Sequence, residues 1–276
     1  MADFTPIRIT SRANPRITDA AKLHEKKHRN RTQRFFFEGH KLFSEARDAR
    51  IPIECVIVEE QAYEKYRPLF EDADFEILLV PPSVYEKVTD EQAPQGIFCI
   101  AKFPDNLKFS HTISITGSHL GDIIETKAPK YLICDGLRDP GNLGTVIRTA
   151  NALGFDRLLL SADCADVCSP KTVRAAMGAL FRLPITIAED IPASIAELRN
   201  AGFDVRAAAL TDAAQPLGTY RVTDKTVFVI GNEGHGLAEE TVAACDGAVI
   251  IPMAPGAESL NAAIAASILM WERTRI

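Results

Sequence analysis

Four short apolar runs constrain the fold of this chain more than any other feature: YLIC at 131–134, RLLL at 157–160, VFVI at 227–230 and AVIIP at 248–252. None alternates apolar with polar residues, which is the pattern of strands in a parallel sheet covered on both faces. Further strand-like segments lie at 184–188 and 204–210. Between them the spacing predicts helices at 142–153, 169–180, 193–201, 238–244 and 260–273, and this strand–helix rhythm is that of an α/β domain.

Three of the runs lead into loops of one character: DGLRDPGN after 134, GNEGHGL after 230 and PMAPGAESLN after 251. Ligands of open parallel sheets bind beyond the carboxyl ends of the strands. A glycine-rich turn opening a helix also brings free backbone amides to a ligand. Asn142 is placed to cap the first helix. Arg148 follows it by six residues, less than two turns on. Each polar candidate also has a plain structural reading. Arg148 is an ordinary helix arginine, Glu233 a capping acid, Ser259 an N-cap and Asn261 a first-turn residue. Asn142, Arg148, Glu233, Ser259 and Asn261 all fall at three strand ends, however, and for the five together coincidence is the weaker account. The familiar loops are excluded: there is no GxGxxG after the strand, no Lys-Ser/Thr of a P-loop, no GxSxG elbow and no HExxH. Cys164 and Cys168 have no histidine near them, so a zinc site is not expected.

The first half has a different composition. Residues 1–50 hold twelve Lys and Arg against six Asp and Glu, so this segment carries +6 and the remainder −12 of the net −6. A basic segment on an acidic body points to a polyanionic partner, against the plain reading of a solvated helix face. Residues 16–34 read as one basic amphipathic helix, with Lys22, Lys26 and Arg29 on a stripe beside Lys27 and Arg31. Strands and helices alternate up to residue 103. The stretch 104–129 is polar and aperiodic, though HTISIT at 111–116 has a strand pattern. The expected domains are 1–104, a linker at 105–129, and 130–276. No apolar run reaches the length of a bilayer span. The N-terminus has no apolar core or cleavage signature, and several of the cysteines fall in apolar strands, so a cytoplasmic, reducing setting is expected.

DPGNLGTVIRTANALGF, FVIGNEGHGL and IIPMAPGAESLNAAIAAS resemble, in order and spacing, the three motifs of the SpoU (TrmH-type) RNA ribose 2′-O-methyltransferases of the SPOUT class. The N-terminal segment, through RFFFEGHKL and ECVIVEE, is similar to the small α/β RNA-binding domain often attached to them. The resemblance implies a parallel-sheet SPOUT domain with a C-terminal trefoil knot, a homodimer, and S-adenosylmethionine as methyl donor. It assigns catalytic positions to Asn142, Arg148, Glu233, Ser259 and Asn261, and cofactor contacts to backbone groups around Leu210, Gly231, Ile251 and Leu260. Phosphate contacts are expected from Lys22, Lys26, Lys27, Arg29 and Arg31. The tract before the first motif is longer than the family pattern.

The implied substrate is RNA, and the fused N-terminal domain favours ribosomal over transfer RNA. A transfer-RNA methyltransferase and a non-catalytic RNA-binding protein are the alternatives; a nucleotide-dependent oxidoreductase lacks its fingerprint. The resemblance makes Arg148 the residue acting on the 2′-hydroxyl. An arginine base is awkward, because its pKa lies above about 12. Stabilising a developing alkoxide or gripping the adjacent phosphate suits a guanidinium better.

Overall fold

The computed structural model describes residues 6–110, 128–232, 234–257 and 259–276. In chain order the elements are β1 (Ile7–Arg8), α1 (Pro15–Lys22), α2 (Lys26–Thr32), β2 (Arg34–Glu38), α3 (His40–Asp48), β3 (Ile53–Glu59), α4 (Glu60–Tyr66), β4 (Glu76–Val80), α5 (Pro82–Tyr85) and β5 (Ile97–Lys102). There follow β6 (Leu107–Ser110), β7 (Tyr131–Cys134), α6 (Pro140–Ala152), β8 (Arg157–Ser161), α7 (Pro170–Ala176), a 3₁₀ turn at Ala179–Phe181, β9 (Ile185–Ala188) and α8 (Ile191–Asn200). The chain closes with β10 (Asp204–Ala208), β11 (Gln215–Pro216), β12 (Thr226–Ile230), α9 (Glu239–Ala244), β13 (Gly247–Ile250) and α10 (Ala262–Thr274). Two compact units result: Met1–Pro104 with Cys168–Phe181, and Asp105–Val167 with Arg182–Ile276.

In the first unit a mixed sheet runs β1-β4-β3-β5-β2. The period of two along β2 sends Phe36 to one face, where it stacks on Phe98 with ring centroids 4.6 Å apart. Phe35 and Phe37 go to the other face and meet Phe181, 6.2 and 5.3 Å between centroids. That partner comes from the second half of the sequence. The segment Cys168–Phe181 packs as part of the first unit, and Arg174 reaches Asp90 at 2.8 Å.

The expected single basic helix over 16–34 is two helices with a break at 23–25. Asn14 caps the first, with Pro15 at its first position. Leu23 is fully buried, and His24 turns in to the carbonyl of Val88 at 2.7 Å and against the Phe36 ring. Tertiary packing therefore overrides the helical period. Arg29 is also displaced from the expected phosphate-binding stripe. It is 3% exposed, and its Nη1 donates to the carbonyls of Leu23 and His24 at 2.7 and 2.8 Å. A buried cation bonded through Nη1 to the carbonyls that follow α1 holds the elbow together. Lys22, Lys26, Lys27 and Arg31 remain exposed.

The second unit is built on an eight-stranded sheet, β11-β13-β10-β12-β7-β8-β9-β6, in which every pairing is parallel. Ile133, Val205, Val227 and Val229 share a core with Ile195 and Leu198 of α8. Leu132, Leu158, Leu160 and Phe228 are buried as well, so the strands are covered on both faces. β6 corrects the linker expected at 105–129: Leu107–Ser110 pairs with β9 in this sheet. HTISIT lies outside the described residues. Between β10 and β12 the chain passes through β11, and β13 lies between β10 and β11. The end of α10 is fixed there by Arg273, which donates to the carbonyls of Thr226 (3.2 Å), Ala128 (3.3 Å) and Asp224. Five of the six cysteines are buried. Burial pushes the Cys245 thiol up to about 12 and raises Cys99, Cys134 and Cys164, so these thiols are protonated packing groups.

Candidate active site

The carboxyl ends of β7, β12 and β13 open into the three loops singled out in the sequence. The first is held at every turn. Asp139, followed by Pro140 at the first helical position, caps α6 by accepting from the Asn142 N–H at 2.8 Å. Asn142 is therefore not the cap but a first-turn residue, and its side chain is released for other work. An Asp-Pro pair is a recognisable helix start, so the sequence carried this signal. Upstream, the Gly136 N–H donates to Ser161 Oγ at 2.8 Å, and Ser161 Oγ donates to Asp163 at 2.6 Å. Arg138 pairs with Asp163 at 3.0 Å, and Thr241 Oγ1 of α9 donates to Asp135 at 2.7 Å.

The second loop closes on itself. The N–H of Asn232 donates to the Gly236 carbonyl at 3.1 Å and the reverse bond is 2.9 Å. A Cβ on Gly231 would lie 2.5 Å from the Gly236 carbonyl group, so only glycine permits this approach. Glu233 lies outside the described residues.

The third loop ends at Asn261, which caps α10 by accepting from the N–H groups of Ala263 and Ile264 at 3.0 and 3.2 Å. It takes the capping role that the plain reading gave to Ser259. Its remaining Nδ2–H donates to Asn142 Oδ1 at 3.0 Å. The first and third loops thus meet through two of the candidate residues, and behind them α6 packs on α10. Arg148 is not drawn into that contact. It stands on the exposed stripe of α6 with Thr145 and makes no hydrogen bond or ion pair among the described residues.

Beside the Asn142–Asn261 pair is a cavity of about 640 Å³ at the ends of β10 and β12. Leu210, Gly231, Leu260 and Ser259 line it, with Asn232 and Glu239 as further polar groups. A smaller cavity of about 160 Å³ shares Leu210, Ser259 and Leu260 and adds Ile251 and Met253. All four expected cofactor positions therefore line these two cavities. Leu210, Leu260 and Met253 are 79, 36 and 37% exposed. Bare apolar side chains around a concave site, with a few polar groups among them, are the usual make-up of a small-molecule pocket. The site fits a small ligand that presents both apolar and polar groups. Asn232, Ser161, Thr241 and Glu239 were not marked from the sequence, because they act through loops distant in the chain.

The SpoU rRNA Methylase family model matches residues 129–271, and the MRM3-like substrate binding domain model matches residues 14–99. The 23S rRNA (guanosine(2553)-2′-O)-methyltransferase of Bacillus subtilis is 30% identical over 263 residues, covering 95% of this chain and 97% of that protein. The 23S rRNA (uridine(2479)-2′-O)-methyltransferase of Streptomyces viridochromogenes is 31% identical over 205 residues, 72% of this chain and 67% of its own length. Among solved structures, the AdoMet-bound rRNA methyltransferase of Sinorhizobium meliloti superposes with a TM-score of 0.80 at 33% identity, over 97% of each chain. With residues 129–271 matched by the family model and nearly the whole length shared with a relative, this chain belongs to the SpoU rRNA methylase family.

Proposed function

We propose that this protein transfers a methyl group from S-adenosylmethionine to a ribose 2′-hydroxyl of ribosomal RNA. The observation that carries this reading is the cavity between the second and third loops, walled by Leu210, Gly231 and Leu260 and flanked by the Asn142–Asn261 pair. When bound, S-adenosylmethionine would supply a sulfonium methyl to the 2′-oxygen, its S–CH3 bond breaking to leave the neutral thioether S-adenosylhomocysteine while the hydroxyl proton passes to solvent water. The chain supplies position and charge. Leu210, Ile251 and Leu260 receive the apolar part of the cofactor, and the backbone around Gly231 offers it polar groups. Asn142, held by Asn261, and Ser259 orient the ribose. Arg148, exposed and uncommitted, steadies the developing alkoxide or grips the neighbouring phosphate. Glu233, the acid of the second motif, is assigned to orient Arg148 or Asn142.

Ribosomal RNA is favoured over transfer RNA by the relatives that match over most of this chain, which are named as 23S rRNA enzymes. Lys22, Lys26, Lys27 and Arg31 supply sequence-independent phosphate contacts. The 2′-hydroxyl, as the reacting group, selects RNA over DNA. A cytoplasmic homodimer belongs to the same reading. Its support is the exposed apolar stripe of α10, with Ile264 at 51% and Trp271 at 54% exposure. Light scattering at the mass of one chain, 30.2 kDa, would contradict it. The knotted path is supported by β13 lying between β10 and β11.

The role of Arg148 is tested by Arg148→Lys with purified protein, ribosomal RNA and labelled methyl donor. Loss of transfer by at least about 100-fold, flat with pH, is expected from a bidentate anion grip that lysine cannot reproduce. Activity restored by lysine and rising with pH would establish a base at this position instead.

A further inference from the structure

Gly136, in the middle of the first loop, is gripped from two sides. Its N–H donates to Ser161 Oγ at 2.8 Å, and its carbonyl accepts from Asn232 Nδ2 at 2.9 Å. The residue is buried and has a φ of +70°, so the peptide is fixed in a conformation that glycine adopts without strain. The two grips come from different places. Ser161 ends β8, on the side away from the cavity. Asn232 lies in the second loop and lines the cavity itself.

Asn232 uses both ends of its amide. Oδ1 accepts from the Gly234 N–H at 2.8 Å, and Nδ2 donates to the Gly136 carbonyl. The orientation is forced, because one neighbour is an N–H and the other a carbonyl. The side chain thereby ties the loop that walls the donor pocket to the loop that starts α6. Asp139, three residues beyond Gly136, caps that helix, and Asn142 follows.

We infer that Asn232 is a positioning residue for methyl transfer: its amide, working against Ser161 across Gly136, sets the separation between the donor pocket and the acceptor residues Asn142 and Arg148. The inference rests on the methyl-transfer reading. In-line displacement needs the attacking oxygen and the methyl carbon in near-attack geometry, and a shift of about 1 Å costs on the order of 100-fold in rate. Neither Asn232 nor Ser161 touches the reacting atoms in this account.

The test uses the full-length protein and two variants. Asn232→Asp keeps the size of the side chain and the acceptor for Gly234, but sets a carboxylate oxygen against the Gly136 carbonyl. Ser161→Ala releases the opposite grip without touching the cavity. For each, kcat and the cofactor KM are measured, with S-adenosylmethionine binding by calorimetry and thermal stability alongside. The expected result is kcat lowered about 10- to 100-fold in both variants, with cofactor Kd and KM within about threefold of the parent. The double variant is expected to lose much less than the product of the two, because both act through Gly136. An unchanged kcat in Asn232→Asp overturns the inference. So does a fall in kcat matched by an equal loss of cofactor affinity, which would make Asn232 a wall of the pocket only. If the parent protein binds the cofactor but methylates no ribosomal RNA, the functional reading fails first, and the two failures are distinguished.

Discussion

At the scale of single residues, several side chains do two jobs, and substitutions can separate them. Asn261 caps α10 with its oxygen and holds Asn142 with its amide nitrogen. Asn261→Asp keeps the cap and inverts the polarity presented to Asn142. Thermal stability should stay within a few degrees while kcat falls at least about 10-fold, whereas Asn261→Ala should also lose about 1 kcal/mol of stability. Glu38 is the reverse case, a buried acid of the first unit. It is 6% exposed, accepts from Thr89 Oγ1 at 2.6 Å and Tyr85 Oη at 3.3 Å, and has no cation among its bonded partners. Burial, offset in part by the Thr89 hydrogen bond and reinforced by the nearby negative charge of Glu91, pushes its carboxyl up to about 7. The folded form then holds this proton more tightly than the unfolded chain. The resulting stability is full below the ordinary carboxyl range and is lost as pH rises towards about 7. Glu38→Gln should remove a decline on the order of 2 kcal/mol over that window, measured by denaturant melts at successive pH values.

At the scale of elements, the legible parts were those governed by local periodicity. The apolar runs at 131–134, 157–160 and 227–230 are strands of one parallel sheet because burial on both faces leaves no alternation to misread. The basic segment was misread because its period continued through residues that tertiary contacts turn inward. Leu23 and His24 pack in the core and against Val88 and Phe36, and Arg29 plugs the gap they leave. The consequence is a division of labour among basic residues close in sequence. Arg29→Ala should cost about 2–3 kcal/mol, since it leaves the carbonyls of Leu23 and His24 without their donor. Lys26→Ala and Lys27→Ala should leave the melting curve unchanged and reduce the salt dependence of RNA affinity by about one phosphate contact each. Equal stability effects at Arg29 and Lys26 would mean that both are surface residues.

At the scale of the whole molecule, the sequence order hides one arrangement. Cys168–Phe181 follows the first of the three loops in the chain, yet it packs as part of the unit formed by the first hundred residues. Nothing in its pattern marks this, because PKTVRAAMGALF reads as one more helix of an α/β rhythm, and its partners Phe35 and Phe37 lie far upstream. Phe181→Ala should therefore weaken amide-exchange protection in β2 and cost about 3 kcal/mol, although its own neighbours in sequence belong to the second half. The site was legible for a related reason in reverse. Asn142, Ser259 and Asn261 come from loops far apart in the chain, but each loop carries its own local mark of glycine, proline and cap residues at a strand end. Asn232 lies inside the marked GNEGHGL loop, but its tie to Gly136 is a contact made far along the chain, and Ser161, which grips Gly136 from the end of β8, carries no such mark. The central claim is ribose methylation of ribosomal RNA, and a map of 2′-O-methyl sites in total RNA tests it most directly. Cells with and without the gene are compared, with an Arg148→Ala copy restored to the second. The expected result is one ribosomal position that loses its methyl group with the gene and does not regain it from the variant. Identical maps, with soluble protein present in the parent cells, would contradict the account.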